Sequence, residues 1–128
     1  MGYVLVVIVL ALLQFLLFGL AVGRARARHG IHAPAVSGNE IFERYFRVHM
    51  NTLEQLVMFL PAIWLFAQFV DPHWAAALGG VYLLGRTIYF YSYIRDPRSR
   101  ALGFALSSLP TLLMLAGVLW QALLMLAP

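Results

Sequence analysis

The sequence predicts an all-α membrane protein, built as a bundle of four transmembrane helices. Composition is the first observation: the chain is 62% hydrophobic and only 11% charged, outside the range of ordinary soluble domains. Spacing is the second. Apolar stretches that approach the roughly 20 residues needed by a spanning helix recur four times along the 128 residues. The third is the placement of charge: the cations are all arginine, and most of them gather between the apolar stretches rather than inside them. A chain of this length is one domain by default.

The first helix is expected over residues 2–23. Met1 to Val22 is apolar apart from Gln14 and a few glycines. It lacks the basic start and the small-residue cleavage site of a signal peptide, so it reads as a retained span. Gln14 near its middle should face other helices and hydrogen-bond there. RARARHG and HAPAVSGN follow as the first loop, in which Pro34, Gly38 and Asn39 oppose a continuous helix. Asn39 or Ser37 can cap the next element.

The second helix is expected over 39–70. Leu56 to Val70 is almost wholly apolar but too short to span alone, so the helix must reach back through FERYFRVHMNTLEQ. Pro61 should kink it, because its ring removes a hydrogen bond and clashes with the preceding turn. Asp71, Pro72 and His73 make a tight connection to a third helix over 74–95. RDPRSR is the third loop, and the fourth helix runs over 101–127 with Pro110 as a second expected kink.

Charge sets the orientation. Arg24, Arg26, Arg28, Arg44, Arg95, Arg98 and Arg100 lie in or beside the first and third loops, whereas the second loop and both termini hold none. By the positive-inside rule the arginine-rich loops are cytoplasmic and both termini lie outside. Arginine and alanine in place of lysine fit a GC-rich bacterial genome, hence a bacterial inner membrane. The net charge of +4 is explained by orientation, lipid headgroups or an anionic ligand. No basic run with interleaved aromatics suggests nucleic acid.

Several chemistries are disfavoured. Without cysteine there is no disulfide and no thiolate metal site. His29, His32, His49 and His73 lack the spacing of a helical metal pair, and no acidic cluster accompanies them. Ser107 and Ser108 have no positioned base and should hydrogen-bond within the helix near Pro110. Gly79 and Gly80 suit helix packing rather than a phosphate loop.

The chemistry-bearing residues converge elsewhere. Arg47, Asn51 and Glu54 are spaced i, i+4 and i+7, on one face of the second helix. Charged groups at membrane depth are costly, so they face protein or a wet cavity and mark function. Tyr82, Arg86, Tyr89 and Tyr93 form a stripe on the third helix. Glu54 lies about 15 Å beyond Arg44, and Arg86 about 13.5 Å before Arg95, at the helical rise. The two therefore sit at similar depth and are expected to pair, either as a helix-holding bridge or in contact with a ligand. Arg26, Arg47, His49, Asn51, Tyr89, Tyr93 and Arg100 fall in the cytoplasmic half or at its rim. Such a set suits a small, mainly anionic zwitterion, with arginines on carboxylates and Glu54 on an ammonium group. Apolar helix faces beside it would admit a greasy second substrate from the bilayer.

FERYFRVHMNTLEQLVMFLPAIWLFA and GRTIYFYSYIRDPRSRALG resemble the MAPEG family, membrane-associated proteins of eicosanoid and glutathione metabolism. The pattern Glu-Arg-x-x-Arg-x-x-x-Asn-x-x-Glu is matched by Glu43, Arg44, Arg47, Asn51 and Glu54. The third-helix pattern is matched by Arg86, Tyr89, Tyr93 and Arg100. The resemblance covers nearly the whole chain. It implies a homotrimer with glutathione held between neighbouring subunits as cosubstrate. By position, Arg26, Arg47, Asn51, Glu54, Tyr89 and Tyr93 would bind glutathione, with Arg86 supporting that shell and His49 and Gln55 as further candidates. Arg100 matches the arginine that stabilises the thiolate in the leukotriene and prostaglandin synthases. A nearby guanidinium favours a charged thiol.

There are departures. Gln55 replaces a tyrosine of leukotriene C4 synthase and His49 a glutamine, while Ala101 replaces a serine of the prostaglandin synthase. These favour the microsomal glutathione transferase branch. The function implied is a glutathione-dependent transferase or peroxidase acting on lipophilic electrophiles, with no metal. The alternative is a non-catalytic lipid-binding or scaffold protein of the same family. A small multidrug exchanger fits less well, because Met1 to Val22 lacks an acidic residue.

Overall fold

The computed structural model describes residues 1–128 as four α-helices and one short turn of 3-10 helix. Helix α1 spans Gly2–His29, α2 Glu40–Phe69, α3 Pro72–Arg95 and α4 Ala101–Leu126, with the 3-10 turn at Pro97–Ser99. The ends of α2, α3 and α4 fall within two residues of the expected ones. Helix α1 does not stop at 23 but runs on through RARARH. Arginine and alanine are strong helix formers, and the stop comes at Gly30. Its φ of 66° is left-handed, and its N–H donates to the Arg26 carbonyl.

Local chemistry explains the other boundaries. Asn39 Oδ1 accepts from the Phe42 N–H at 2.9 Å, and Glu40 and Glu43 place negative charge in the first turn of α2. Asp71 Oδ1 accepts from the Trp74 N–H at 2.8 Å, and Pro72 opens α3 where a missing N–H costs nothing. Helices α2 and α4 each continue through their proline, Pro61 and Pro110.

The chain is an all-helical protein with three helices long and apolar enough to cross a membrane: α1, α2 and the segment Pro97–Leu126. Helix α3, expected as the remaining span, is not among these three. That helix has the length but carries Arg86, Thr87, Ser92 and four tyrosines. It packs against all three other helices, most extensively α4. Much of the surface is apolar: Leu12, Leu13, Leu16 and Leu20 on α1 and Leu109, Leu112, Leu113 and Leu119 on α4 are exposed. A surface of that kind suits lipid.

The main apolar core lies in the half of the bundle away from the arginines. It joins Val4, Val7 and Ala11 to Leu56, Phe59 and Ile63, with Ala75, Tyr82 and Met114. Phe59 and Tyr82 stack at 3.8 Å. Gly79 permits this packing, since a Cβ there would fall 2.5 Å from Val7 and 2.8 Å from Ile63. Gly80 has open space around it and packs against nothing in the chain.

Helices α3 and α4 approach closely at two reciprocal points. A Cβ on Gly85 would meet the backbone of Leu106 and Ser107 at 2.6 and 2.7 Å, and one on Gly103 would meet the Tyr89 backbone. Small residues at a helix crossing give this close contact. It places Tyr89 directly against the start of α4. Gln14 bridges α1 to α3 as expected, donating to the Leu83 carbonyl and the Thr87 hydroxyl at 3.0 and 3.1 Å.

Candidate functional site

The expected face on α2 exists as a polar stripe. Arg47 and Glu54 form an ion pair at 3.2 Å, two turns apart, with side chains 51% and 56% exposed. Asn51 lies between them along the helix but is buried, and its Oδ1 has no partner within the chain. A charged pair in the middle of an apolar helix, open on one side, is a surface to be covered by protein or ligand rather than by lipid.

The expected Glu54–Arg86 ion pair does not form. Glu54 turns to Arg47, and Arg86 is fully buried, donating from Nη2 to the Thr52 hydroxyl at 2.8 Å. Thr52 donates in turn to the Val48 carbonyl at 2.7 Å. The Arg86 guanidinium lies over the Tyr89 ring, 4.3 Å from its centroid. Depth matching succeeded and direction failed: Glu54 and Arg86 share a level, but Glu54 points out of the bundle and Arg86 into it. The Arg86 Nε and Nη1 have no partner within the chain. Tyr82 Oη, Gln55 Oε1 and Thr111 Oγ1 are likewise buried and unpartnered. So many unsatisfied groups in one bundle call for an explanation.

The tyrosine stripe runs as spaced. Tyr82 and Tyr89 are buried, and Tyr89 stacks on Tyr93 at 5.4 Å. Tyr93 and Arg47 line one shallow groove with Glu43 and Arg44. Arg100 is exposed at the start of α4, directly after the 3-10 turn. That turn is held by Asp96, whose carboxylate accepts from the Arg98 backbone N–H at 3.0 Å and from its guanidinium at 3.3 Å. These two hydrogen bonds keep the Asp96 carboxyl below the usual carboxylate range.

Three candidates are occupied otherwise within the chain. Arg26 donates to the Ala35 carbonyl at 2.6 Å and covers the Phe42 ring, which fastens it to the first loop. The His49 ring stacks on Phe15 at 4.4 Å and packs over Gly19, so it faces α1 rather than the Arg47–Glu54 pair. Gln55 is buried and donates to Ser108 on α4 at 3.2 Å. Ser107 donates to the Gly103 carbonyl at 2.6 Å, the intrahelical bond expected of it. No cluster of metal-ligating side chains is present.

Sequence reasoning missed two residues. Thr52, the one hydrogen-bond partner of Arg86, carries no charge that would mark it as a partner in the sequence; it lies on the buried face marked by Val48, Gln55 and Phe59. Arg44 reaches across from α2 to donate to the Ile94 and Arg95 carbonyls at 2.9 and 3.2 Å, capping the end of α3. In the sequence it stood as an orientation charge and as part of the Glu-Arg-x-x-Arg pattern, without this capping role.

The chain is similar in sequence to known proteins over most of its length. The sequence profile of the MAPEG family matches residues 3–120. An uncharacterized protein of Synechocystis is 49% identical over 116 residues, covering 88% of this chain and 85% of the relative. Human microsomal glutathione S-transferase 2 is 38% identical over 103 residues, 80% of this chain and 70% of the relative. Leukotriene C4 synthase of Cavia porcellus is 36% identical over 83 residues, 65% of this chain and 55% of the relative.

Proposed function

This chain belongs to the MAPEG family, and from that premise we propose that it is a membrane-embedded glutathione-dependent transferase or peroxidase acting on lipophilic electrophiles. The observation that carries the reading is the α2 stripe: an exposed Arg47–Glu54 pair flanking the unpartnered Asn51 Oδ1, in the middle of a helix apolar enough to span a membrane. A charged face of this kind is stable at that depth only when protein or a polar ligand covers it. A homotrimer with the stripe at the subunit interface meets both needs. The arginine-rich ends of the helices then lie on the cytoplasmic side.

The donor set fits glutathione. The tripeptide carries two carboxylates, one ammonium group and a thiol. Arg47 takes carboxylate, joined by Arg26 from a neighbouring subunit once that side chain exchanges the Ala35 carbonyl for the ligand; Glu54 exchanges Arg47 for the ammonium; Asn51 and the Tyr89 and Tyr93 hydroxyls complete the hydrogen bonds. Arg86 holds Tyr89 from behind through its guanidinium stack. His49 and Gln55 stay with α1 and α4. Arg100 sits at the rim with a free guanidinium and stabilises the thiolate.

In conjugation the thiolate sulfur forms a bond to the electrophilic carbon, the leaving group departs with its electron pair, and the thiol proton passes to solvent. In peroxide reduction two glutathiones are oxidised to the disulfide, and the hydroperoxide is reduced to an alcohol and water.

The test is glutathione binding and turnover by the purified protein, with a panel of electrophiles and lipid hydroperoxides. Mixing with glutathione should raise the ultraviolet absorbance of thiolate. Arg100→Ala should abolish that rise and cut turnover about a hundredfold, the scale of losing one oriented charge-stabilising group. Absence of both binding and conjugation with every electrophile would sink the reading. Fatty-acid binding without turnover would point to a lipid-binding scaffold.

A further inference from the structure

A groove in the arginine half is lined by residues other than those of the α2 stripe. It has a volume of about 630 Å³ and lies between the end of α1, the start of α2 and the end of α3. Its floor is apolar: Leu17, Leu20 and Ala21 from α1 and Phe90 from α3. Its mouth is cationic: Arg24 and Arg28 line it one helical turn apart, at a separation of roughly 6 Å. Arg26, between them, turns the other way to the Ala35 carbonyl and the Phe42 ring.

Charge around the groove is unbalanced. The three ion pairs of the chain use Arg44, Arg47 and Arg98, leaving Arg24 and Arg28 without a carboxylate. None of the chain's five acidic residues lines the groove. The shape is amphiphilic in the sense that a phospholipid is. From Leu17 to His29 the groove runs about 18 Å along the helix, with apolar wall toward the membrane interior and guanidinium groups where the apolar run of α1 ends.

We infer that this groove is a binding site for one anionic phospholipid, its phosphate held between Arg24 and Arg28 and an acyl chain lying along Leu17, Leu20 and Phe90. Guanidinium is the side chain best matched to phosphate geometry. A neutral, zwitterionic headgroup would bring its own cation against the two arginines, so the site discriminates by headgroup charge. The site is separate from the α2 stripe and stands whether or not that stripe binds glutathione.

The test is native mass spectrometry of the purified protein, released from mixed micelles holding equal phosphatidylglycerol and phosphatidylcholine. The wild-type protein should retain phosphatidylglycerol over phosphatidylcholine by roughly tenfold or more, since each surface arginine favours anionic lipid severalfold. The double variant Arg24→Gln/Arg28→Gln should lose the preference. Arg95→Gln/Arg98→Gln, which removes as much charge outside the groove, should keep it. Ala21→Trp, which fills the groove with both arginines in place, should also lose it. Millimolar inorganic phosphate should not displace the lipid. Equal retention of the two lipids by the wild type overturns the inference. So does loss of preference in both double variants, which would mark general surface charge, or an unaltered preference in Ala21→Trp. Displacement by inorganic phosphate would overturn the lipid as the ligand.

Discussion

In the half of the bundle away from the arginines, Phe59 lies flat on Tyr82 and Gly79 lets Val7 and Ile63 close over α3. In the arginine half, Arg86 is equally buried but keeps two guanidinium nitrogens, Nε and Nη1, without a partner, and Asn51 keeps a free carbonyl oxygen. The first region is packed within one chain, with the Tyr82 hydroxyl as its buried polar group without a partner. The second is complete as a scaffold and incomplete as chemistry. Burial of apolar surface is non-directional and closes on itself, whereas polar groups need partners at fixed positions. A half-satisfied polar interior beside a well-packed apolar one therefore points to a place where something else binds. The two halves should respond to mutation in opposite ways: stability should fall in one and chemistry in the other.

The largest effect is expected in the apolar half. Phe59→Ala should cost about 3–5 kcal/mol, the scale for emptying a buried aromatic position. Thermal unfolding in mild detergent would show it as a large fall in Tm, with glutathione turnover per folded molecule unchanged. If turnover falls and Tm holds, the division between the halves is wrong.

The glycine contacts come next and sit on the border. Gly103→Ala drives a methyl group into the Tyr89 backbone, which cannot yield as a flexible side chain would. A loss of about 2–3 kcal/mol is expected from such overpacking. Turnover should fall as well, because Tyr89 moves with the backbone. Gly80→Ala is the control: the site is open, so the change should stabilise α3 by roughly 0.5–1 kcal/mol through helix propensity.

A paired substitution then sharpens the polar half. Thr52→Val removes the one hydrogen bond of Arg86 and leaves a buried guanidinium unpartnered, a loss of about 1–3 kcal/mol. Arg86→Met removes the charge as well as the need for a partner, and exchanging a buried ion for an apolar side chain is often neutral. Its Tm should therefore stay close to the wild-type value, while glutathione affinity falls because Tyr89 loses the group stacked behind it. A Tm lowered more by Arg86→Met than by Thr52→Val would make Arg86 a structural tie.

The division also explains what could be read from sequence. Four helices were legible because apolar runs, Asn39, Asp71 and the prolines act locally. The missed turns of α1 were not, because alternating arginine and alanine read as a polar loop until Gly30 is seen as the real stop. The α2 and α3 stripes were legible as helical spacings. The Glu54–Arg86 pair was not, because rise along an axis gives depth and says nothing about rotation. Arg26 and His49 share the level of the site, yet one turns to the first loop and the other to Phe15. Only the packing of α1 against α2 decides that.

The smallest expected effect lies at the Arg100 rim, where the two halves give way to solvent. Asp96 caps the 3-10 turn that delivers Arg100 to α4. Its carboxyl is held below the usual range by the Arg98 N–H and guanidinium. A folded-state value lowered in this way contributes order above the ordinary carboxylate range and loses it as pH falls through the lowered value. Amide exchange at Arg98 and Ser99 should therefore stay flat from pH 8 to about pH 5, once corrected for intrinsic rates, and rise only in stronger acid. Asp96→Asn keeps an acceptor for the Arg98 N–H and should barely change turnover. Asp96→Ala removes it, frays the turn, and should lower turnover by a few-fold, well short of Arg100→Ala. A fall as deep as that of Arg100→Ala would mean that the order of the turn, not the guanidinium alone, controls the chemistry at the rim.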